Sequence, residues 1–267
     1  MTLHLQTVEA RKGLVWIRHA LKVYRRRPLA LTALYAVVPL IGLLLSMLPP
    51  PFEWIVLALP PLISLGFMLA THGVLQGHAP TAAVYLMPFR LTAERRKTQL
   101  LLCLIYALFM AAGLLLAQWA DGGALDHLAA LKQQDPMDEQ AVMAAVADLH
   151  WLQGPATLML WVSVLSIPFW HAPALVHWAG QGLAQSLFSS TLALWRNRGA
   201  FFMSMLGWLG LSFCLSLAAM LLGSPFGMPT MQVLLVLVYT WLTTAFYASL
   251  YFSFVDCFMF SPEEIKV

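Results

Sequence analysis

Apolar residues in this chain run in blocks of about 20, broken by short clusters of charged residues and proline. Spanning about 30 Å of hydrocarbon takes about 20 helical residues. Six stretches meet that length: Leu29 to Leu48, Trp54 to Gln76, Gln99 to Trp119, Pro155 to Val176, Ala200 to Gly223 and Met231 to Val255. The pattern predicts an all-α membrane protein with six transmembrane helices, a single polytopic domain over residues 1–267. Pro60-Pro61 predict a kink in the second stretch, and Pro168 and Pro173 one in the fourth, with two half-helices as the alternative there.

Between the blocks the period becomes that of a half-buried helix. Leu14, Ile17, Leu21 and Tyr24 recur at helical spacing beside Arg18, Lys22 and Arg25. Leu183, Leu187, Leu192 and Trp195 do the same before the fifth block. Both segments read as interfacial amphipathic helices, the first within a basic cytoplasmic stretch over 1–28. In the segment 120–153, Asp135 as N-cap, Pro136 at N1 and Asp138 and Glu139 in the first turn predict a helix start. Val142, Ala145, Val146, Leu149 and Leu152 follow at helical spacing.

The approaches to the first and fifth blocks also align with each other. Ala20 to Pro28 lies on Thr191 to Gly199, matching an aromatic residue, two arginines and a helix breaker. The approach to the third block, around Phe89 to Lys97, fits less closely. The comparison suggests three weakly repeated units, each an interfacial helix followed by a two-span hairpin.

Composition agrees with the blocks. The chain is 60% hydrophobic and 10% charged, and its mean hydropathy is +0.75. Soluble domains carry about 25% charged residues. The net charge of +3 says less than its placement. With six crossings, 14 of the 15 Lys and Arg fall on one side, and only Lys132 falls on the other. Glu53, Asp121, Asp126, Asp135, Asp138, Glu139 and Asp148 share that other side. Cations collect on the cytoplasmic face, so both termini are expected in the cytoplasm and 120–153 in the periplasm. The basic residues flank membrane blocks, which argues against nucleic acid as their partner. Arg18, Lys22, Arg25, Arg26, Arg27, Arg196 and Arg198 are the expected contacts for anionic lipid headgroups. The basic start followed by an apolar run reads as a retained signal anchor, because the run is too long for a secretory leader and no cleavage pattern follows Met47.

Little in the sequence carries chemistry. Cys103, Cys214 and Cys257 stand apart in apolar stretches and read as small core residues. The spans have no Lys, Arg or Glu at their centres, which argues against proton or ion coupling. No HExxH, GxSxG or phosphate-binding glycine loop occurs. His72 and His78, and His171 and His177, are six apart and do not share a helix face. No metal, cofactor or catalytic set is expected. The candidate polar intramembrane residues are His171, in a proline-flanked kink, Thr240 and Thr244, on one face of the last span, and Asp256, at its end. Gly207 with Gly210, and Ala111-Ala112-Gly113, read as helix-packing sites.

The opening Ala10-Arg11-Lys12-Gly13 with Trp16, the segment Arg25 to Pro28, and Tyr251-Phe252-Ser253-Phe254-Val255-Asp256 near the end resemble a family of bacterial, betaproteobacterial-type, polytopic inner-membrane proteins of unknown function. The resemblance implies a bacterial inner-membrane location and no catalytic residues. Besides an intramembrane enzyme acting on lipid, two function classes remain. One is a non-enzymatic accessory, scaffold or assembly component, with the bilayer, anionic headgroups and other membrane subunits as partners. The other is a permease or channel for a small neutral or lipid-like solute.

Overall fold

The structure, a computed structural model, describes residues 3–49, 52–134 and 138–260. Its elements are a short strand β1 (Leu3–Leu5), then α1 (Lys12–Arg26), α2 (Pro28–Ser46), α3 (Pro60–Leu75), α4 (Ala93–Asp121), α5 (Ala124–Lys132), α6 (Glu139–Ala147), α7 (Gln153–Phe169), α8 (Ala172–Ala174), α9 (Leu183–Arg196), α10 (Arg198–Gly223), α11 (Met228–Cys257) and strand β2 (Phe258–Phe260). Among the described residues, five segments are long and apolar enough to cross a membrane: Pro28–Ser46, Ala93–Asp121, His150–Ala179, Arg198–Phe226 and Met228–Cys257. They match the expected first, third, fourth, fifth and sixth blocks.

The second block differs. Residues Phe52–Ala58 form a 3-10 helix, and α3 begins only at Pro60. Pro60 and Pro61 occupy the first helical turn, where a missing N–H has no cost, so they start the helix instead of kinking it. The fourth block is interrupted. α7 ends at Phe169, Trp170 and His171 leave the helix, and α8 runs into a π-turn at Leu175–Ala179 that closes on Gly180 at φ 68°. Pro173 cannot donate a backbone N–H, and it falls where the helical ladder would have continued. The half-helix alternative holds at this block.

The chain forms two compact units, Met1–Cys103 with Pro168–Val267, and Leu104–Ile167. In the first unit, α1 packs between α10 and α11, and α11 also packs against α3 and α2. Gly13 sits where α1 meets α10, so close that a Cβ there would run into the Ala200 carbonyl. Three apolar clusters fill the unit. One gathers Trp16, Met68, Leu175, Phe254 and Phe258, a second Val23, Leu31, Leu34 and Phe67, and a third Ile17, Ala20, Trp208 and Leu242. Lipid is as apolar as these side chains, so close packing rather than escape from water holds the helices together. One feature has no signal in the apolar pattern: β1 pairs antiparallel with β2, matching Leu3 with Phe260 and Leu5 with Phe258. The two described ends of the chain therefore lie side by side.

In the second unit, Gly122 and Gly123 at φ 59° and 83° turn the chain from α4 into α5. These left-handed values suit glycine, which has no Cβ to clash. The Asp121 carboxylate accepts from the Gly123 N–H at 2.9 Å and lies against Gly154. Gly113 leaves room for Trp161, whose indole N–H donates to the Phe109 carbonyl at 2.8 Å, as its reading as a packing site implies. The expected periplasmic helix is shorter than its apolar period. Asp138 is its N-cap, accepting from the N–H groups of Gln140 and Ala141, while Asp135 and Pro136 lie outside the described residues. Leu149 turns left-handed at φ 56°, so Leu152 falls in a separate turn.

Candidate functional site

Of the expected polar residues, His171 lies where the broken fourth block meets the C-terminal part of α11. His171 is fully buried. Its backbone N–H donates to Ser190 Oγ at 3.0 Å, and its Nε2 lies 3.1 Å from Ser253 Oγ. The Ser253 hydroxyl donates to the Leu250 carbonyl, which leaves its oxygen free to accept from the imidazole. Nδ1 meets no partner among the described residues. Phe201, Phe254 and Phe258 surround the ring, with centroids 5.9, 5.7 and 5.5 Å away. This is a histidine held by packing, with a serine on each side and aromatic edges around it.

The other candidates do not converge on it. Thr244 is buried, but its hydroxyl donates to the Thr240 carbonyl of its own helix at 2.7 Å. Thr240 is half-buried one turn away. Nine residues separate Thr244 from Ser253, a rise of about 14 Å. Asp256 faces α1: its carboxylate accepts from the Trp16 indole N–H at 2.8 Å and lies 3.8 Å from Lys12 Nζ. It ties the first helix to the last.

The basic residues divide in two. On α1, Arg18, Lys22, Arg25 and Arg26 are exposed, as is Arg27 just beyond it. The apolar side of that helix is not open to lipid, as an interfacial helix requires. Trp16, Ile17, Ala20 and Val23 are buried against protein, and Trp16 is only 1% exposed. An amphipathic stripe reads the same whether lipid or protein covers it, and α10 and α11 cover this one. Arg196 and Arg198 flank Asn197, the single residue between α9 and α10, and both are exposed.

Sequence reasoning missed Asn197. It is buried, accepts from Val8 N–H at 2.8 Å, and donates to the Gln6 carbonyl at 3.0 Å and to Cys257 Sγ at 3.4 Å. One amide thus holds the segment after β1 and the residue before β2. Its position in the aligned approaches held only an arginine counterpart, so nothing in the sequence singled it out. Arg95 was missed as more than a topology signal. Its guanidinium donates to the His177 carbonyl at 3.1 Å and lies against Gly180. One turn further along α4, Gln99 is buried with neither end of its amide partnered among the described residues. The same holds for His177 Nδ1 and Gln181 Oε1. His72 bonds Tyr251 through Nδ1 at 2.8 Å, and its Nε2 lies 3.0 Å from Gln76. Cys103 and Cys257 are buried as expected, whereas Cys214 is exposed on α10. Among the described residues, no group of three or more His, Cys, Asp or Glu is arranged to hold a metal.

The chain is 30% identical over 272 aligned positions to a probable inner membrane protein of Burkholderia thailandensis, covering 96% of this chain and 94% of that protein. The chain belongs to this inner membrane protein family. This membership and the apolar helices agree with the expected inner-membrane location and polytopic helical architecture. No family model and no solved structure matches the chain.

Proposed function

We propose that this inner membrane protein is a non-enzymatic accessory, scaffold or assembly component that crosses the bilayer six times, with both ends in the cytoplasm. Five long apolar segments make an odd number, while the pairing of β1 with β2 favours an even one, since paired strands share a side of the membrane. The helix α3 is the natural sixth crossing. Its 16 residues rise about 24 Å, and the apolar 3-10 stretch before it extends that reach. The cytoplasmic assignment rests on the placement of the cations. A one-residue break joins α1 to α2 at Arg27 and α9 to α10 at Asn197, which favours the repeated helix-plus-hairpin unit.

The observation that carries the accessory reading is the open face of α10. Gly207 packs under Leu14 and Ile17 of α1, yet Phe202, Leu209, Phe213, Leu217 and Leu221 are all exposed. A span covered by its own chain along one stripe offers the rest to lipid or to another subunit. A photo-crosslinking residue at Leu209 or Phe213 in living cells is expected to give a discrete adduct with a second membrane protein. Adducts with lipid alone, at every open position of α10, would overturn the reading.

A permease for a small neutral or lipid-like solute is the second reading. It is favoured by the interrupted fourth segment and by polar atoms of Gln99, His177 and Gln181 that have no hydrogen-bond partner among the described residues. Solute flux in liposomes holding the purified protein alone would support it over the first.

A further inference from the structure

The helix α9 is built inside out relative to α1. Its inward side is small and polar: Ser186, Ser190 and Ala193 are fully buried. This inversion has a cause, because Ser190 Oγ accepts the backbone N–H of His171 where the fourth segment leaves its helix, and Ser186 closes onto the Leu183 carbonyl. The outward side carries the bulk. Phe188, Leu192 and Trp195, spaced four and three apart, form one stripe, with Phe188 67% and Trp195 69% exposed. The expected stripe of Leu183, Leu187, Leu192 and Trp195 is therefore corrected by one residue's rotation at its start.

The surroundings say what covers this stripe. Arg196 and Arg198 border it, and the Arg198 guanidinium lies 5.6 Å from the centre of the Trp195 ring. Arg196 donates to Thr7 Oγ1 at 3.2 Å. No Asp or Glu occurs between Asp148 and Asp256, and among the described residues neither arginine is in an ion pair. After the single residue Asn197 the chain enters α10, a membrane-length helix. The stripe thus lies where a crossing begins, with aromatic and leucine side chains on one side and, beside them, cations that have no ion pair among the described residues. That combination matches a helix lying in the headgroup layer of an acidic membrane.

We infer that α9 rests in the bilayer surface, with Phe188, Leu192 and Trp195 among the upper acyl chains and Arg196 and Arg198 on acidic phospholipid headgroups. The inference assigns the lipid contact to α9, whose apolar stripe is open, and leaves α1 as a helix covered by protein. It rests on the membrane position of α10 and not on the accessory role, so lipid-only adducts from α10 would leave it standing.

The test uses the full chain with a benzoylphenylalanine at position 188, reconstituted in nanodiscs of phosphatidylcholine mixed with phosphatidylglycerol. Irradiation is expected to give phospholipid adducts enriched in phosphatidylglycerol relative to the mixture. Arg196→Gln with Arg198→Gln should lower that enrichment about five-fold or more, whereas Arg90→Gln with Arg96→Gln should leave it unchanged. Should the arginine variant fail to fold, the enrichment in the unaltered arginine background carries the test. Adducts with a second copy or another protein, an absence of lipid adducts, or adducts that mirror the bulk mixture would overturn the inference.

Discussion

Trp16 and Asp256 are 240 residues apart in sequence and 2.8 Å apart in the fold, the indole N–H donating to the carboxylate. Lys12 reaches the same carboxylate at 3.8 Å, but its side chain is 46% exposed and that of Asp256 30%. An ion pair so open to solvent contributes about 0–1 kcal/mol. The indole bond is different, since Trp16 is buried and would lose its acceptor. Asp256→Asn keeps an acceptor and is expected to lower the unfolding midpoint in detergent only slightly. Asp256→Leu strands the indole N–H, and the expected loss is about 1–3 kcal/mol. Equal effects from the two substitutions would show that charge, not the indole bond, ties α1 to α11.

Asn197 fastens both ends of the chain at one junction, through Gln6, Val8 and Cys257. Replacing it with leucine removes the acceptor of the Val8 N–H and the donor to Gln6, for an expected cost of about 1–3 kcal/mol per group left without its bond. Backbone amide exchange should rise first at residues 5–8 and at 258–260, because among the described residues β1 is held to β2 by three matched pairs. Asn197→Asp keeps the acceptor alone and should fall between the two. Unchanged exchange at both strands in the leucine variant would count against the clasp.

Gly13 and Gly210 are both helical glycines, yet they meet different surroundings. A Cβ on Gly13 collides with the backbone of α10 at Ala200 and Ser204, whereas one on Gly210 meets nothing within 4 Å. Gly13→Ala is expected to destabilise by about 1–3 kcal/mol through forced separation of α1 and α10. Gly210→Ala should be neutral or raise stability by about 0.5–1 kcal/mol, the usual gain for removing glycine from a helix interior. Thermal unfolding of the two single variants, side by side, checks the contrast.

The crossings were readable because bilayer thickness imposes one length on every span, and α4, α10 and α11 lie within a few residues of the blocks that predict them. What covers a helix was not readable. α1 and α9 both carry an apolar stripe beside basic residues, yet one stripe is buried under α10 and α11 and the other faces outward, because periodicity records a face and not its partner. The pairing of β1 with β2 escaped for a related reason. Three-residue strands at opposite ends of a chain have no local signal, and their pairing depends on Asn197, which becomes central only once α9 and α10 meet. Of the candidate site, His171 was recognisable from the prolines around it. Arg95 and Gln99 were not, because a cation before a span and a glutamine at its edge serve topology equally well.

Gln99 offers the sharpest division between the two functional readings. Its amide is 1% exposed and neither end finds a partner among the described residues. A buried amide without hydrogen bonds costs about 1–3 kcal/mol, and an apolar side chain of similar size escapes that cost. If nothing binds at this end of α4, Gln99→Leu should leave the unfolding midpoint unchanged or raise it, in purified protein with or without added lipid. If the amide holds a water chain or a solute beside Arg95 and the π-turn, the same substitution should lower the midpoint and abolish any flux the protein supports in liposomes. A higher midpoint with no change in flux would remove the main physical support for the permease and leave α4 a packed strut beside the interrupted fourth segment.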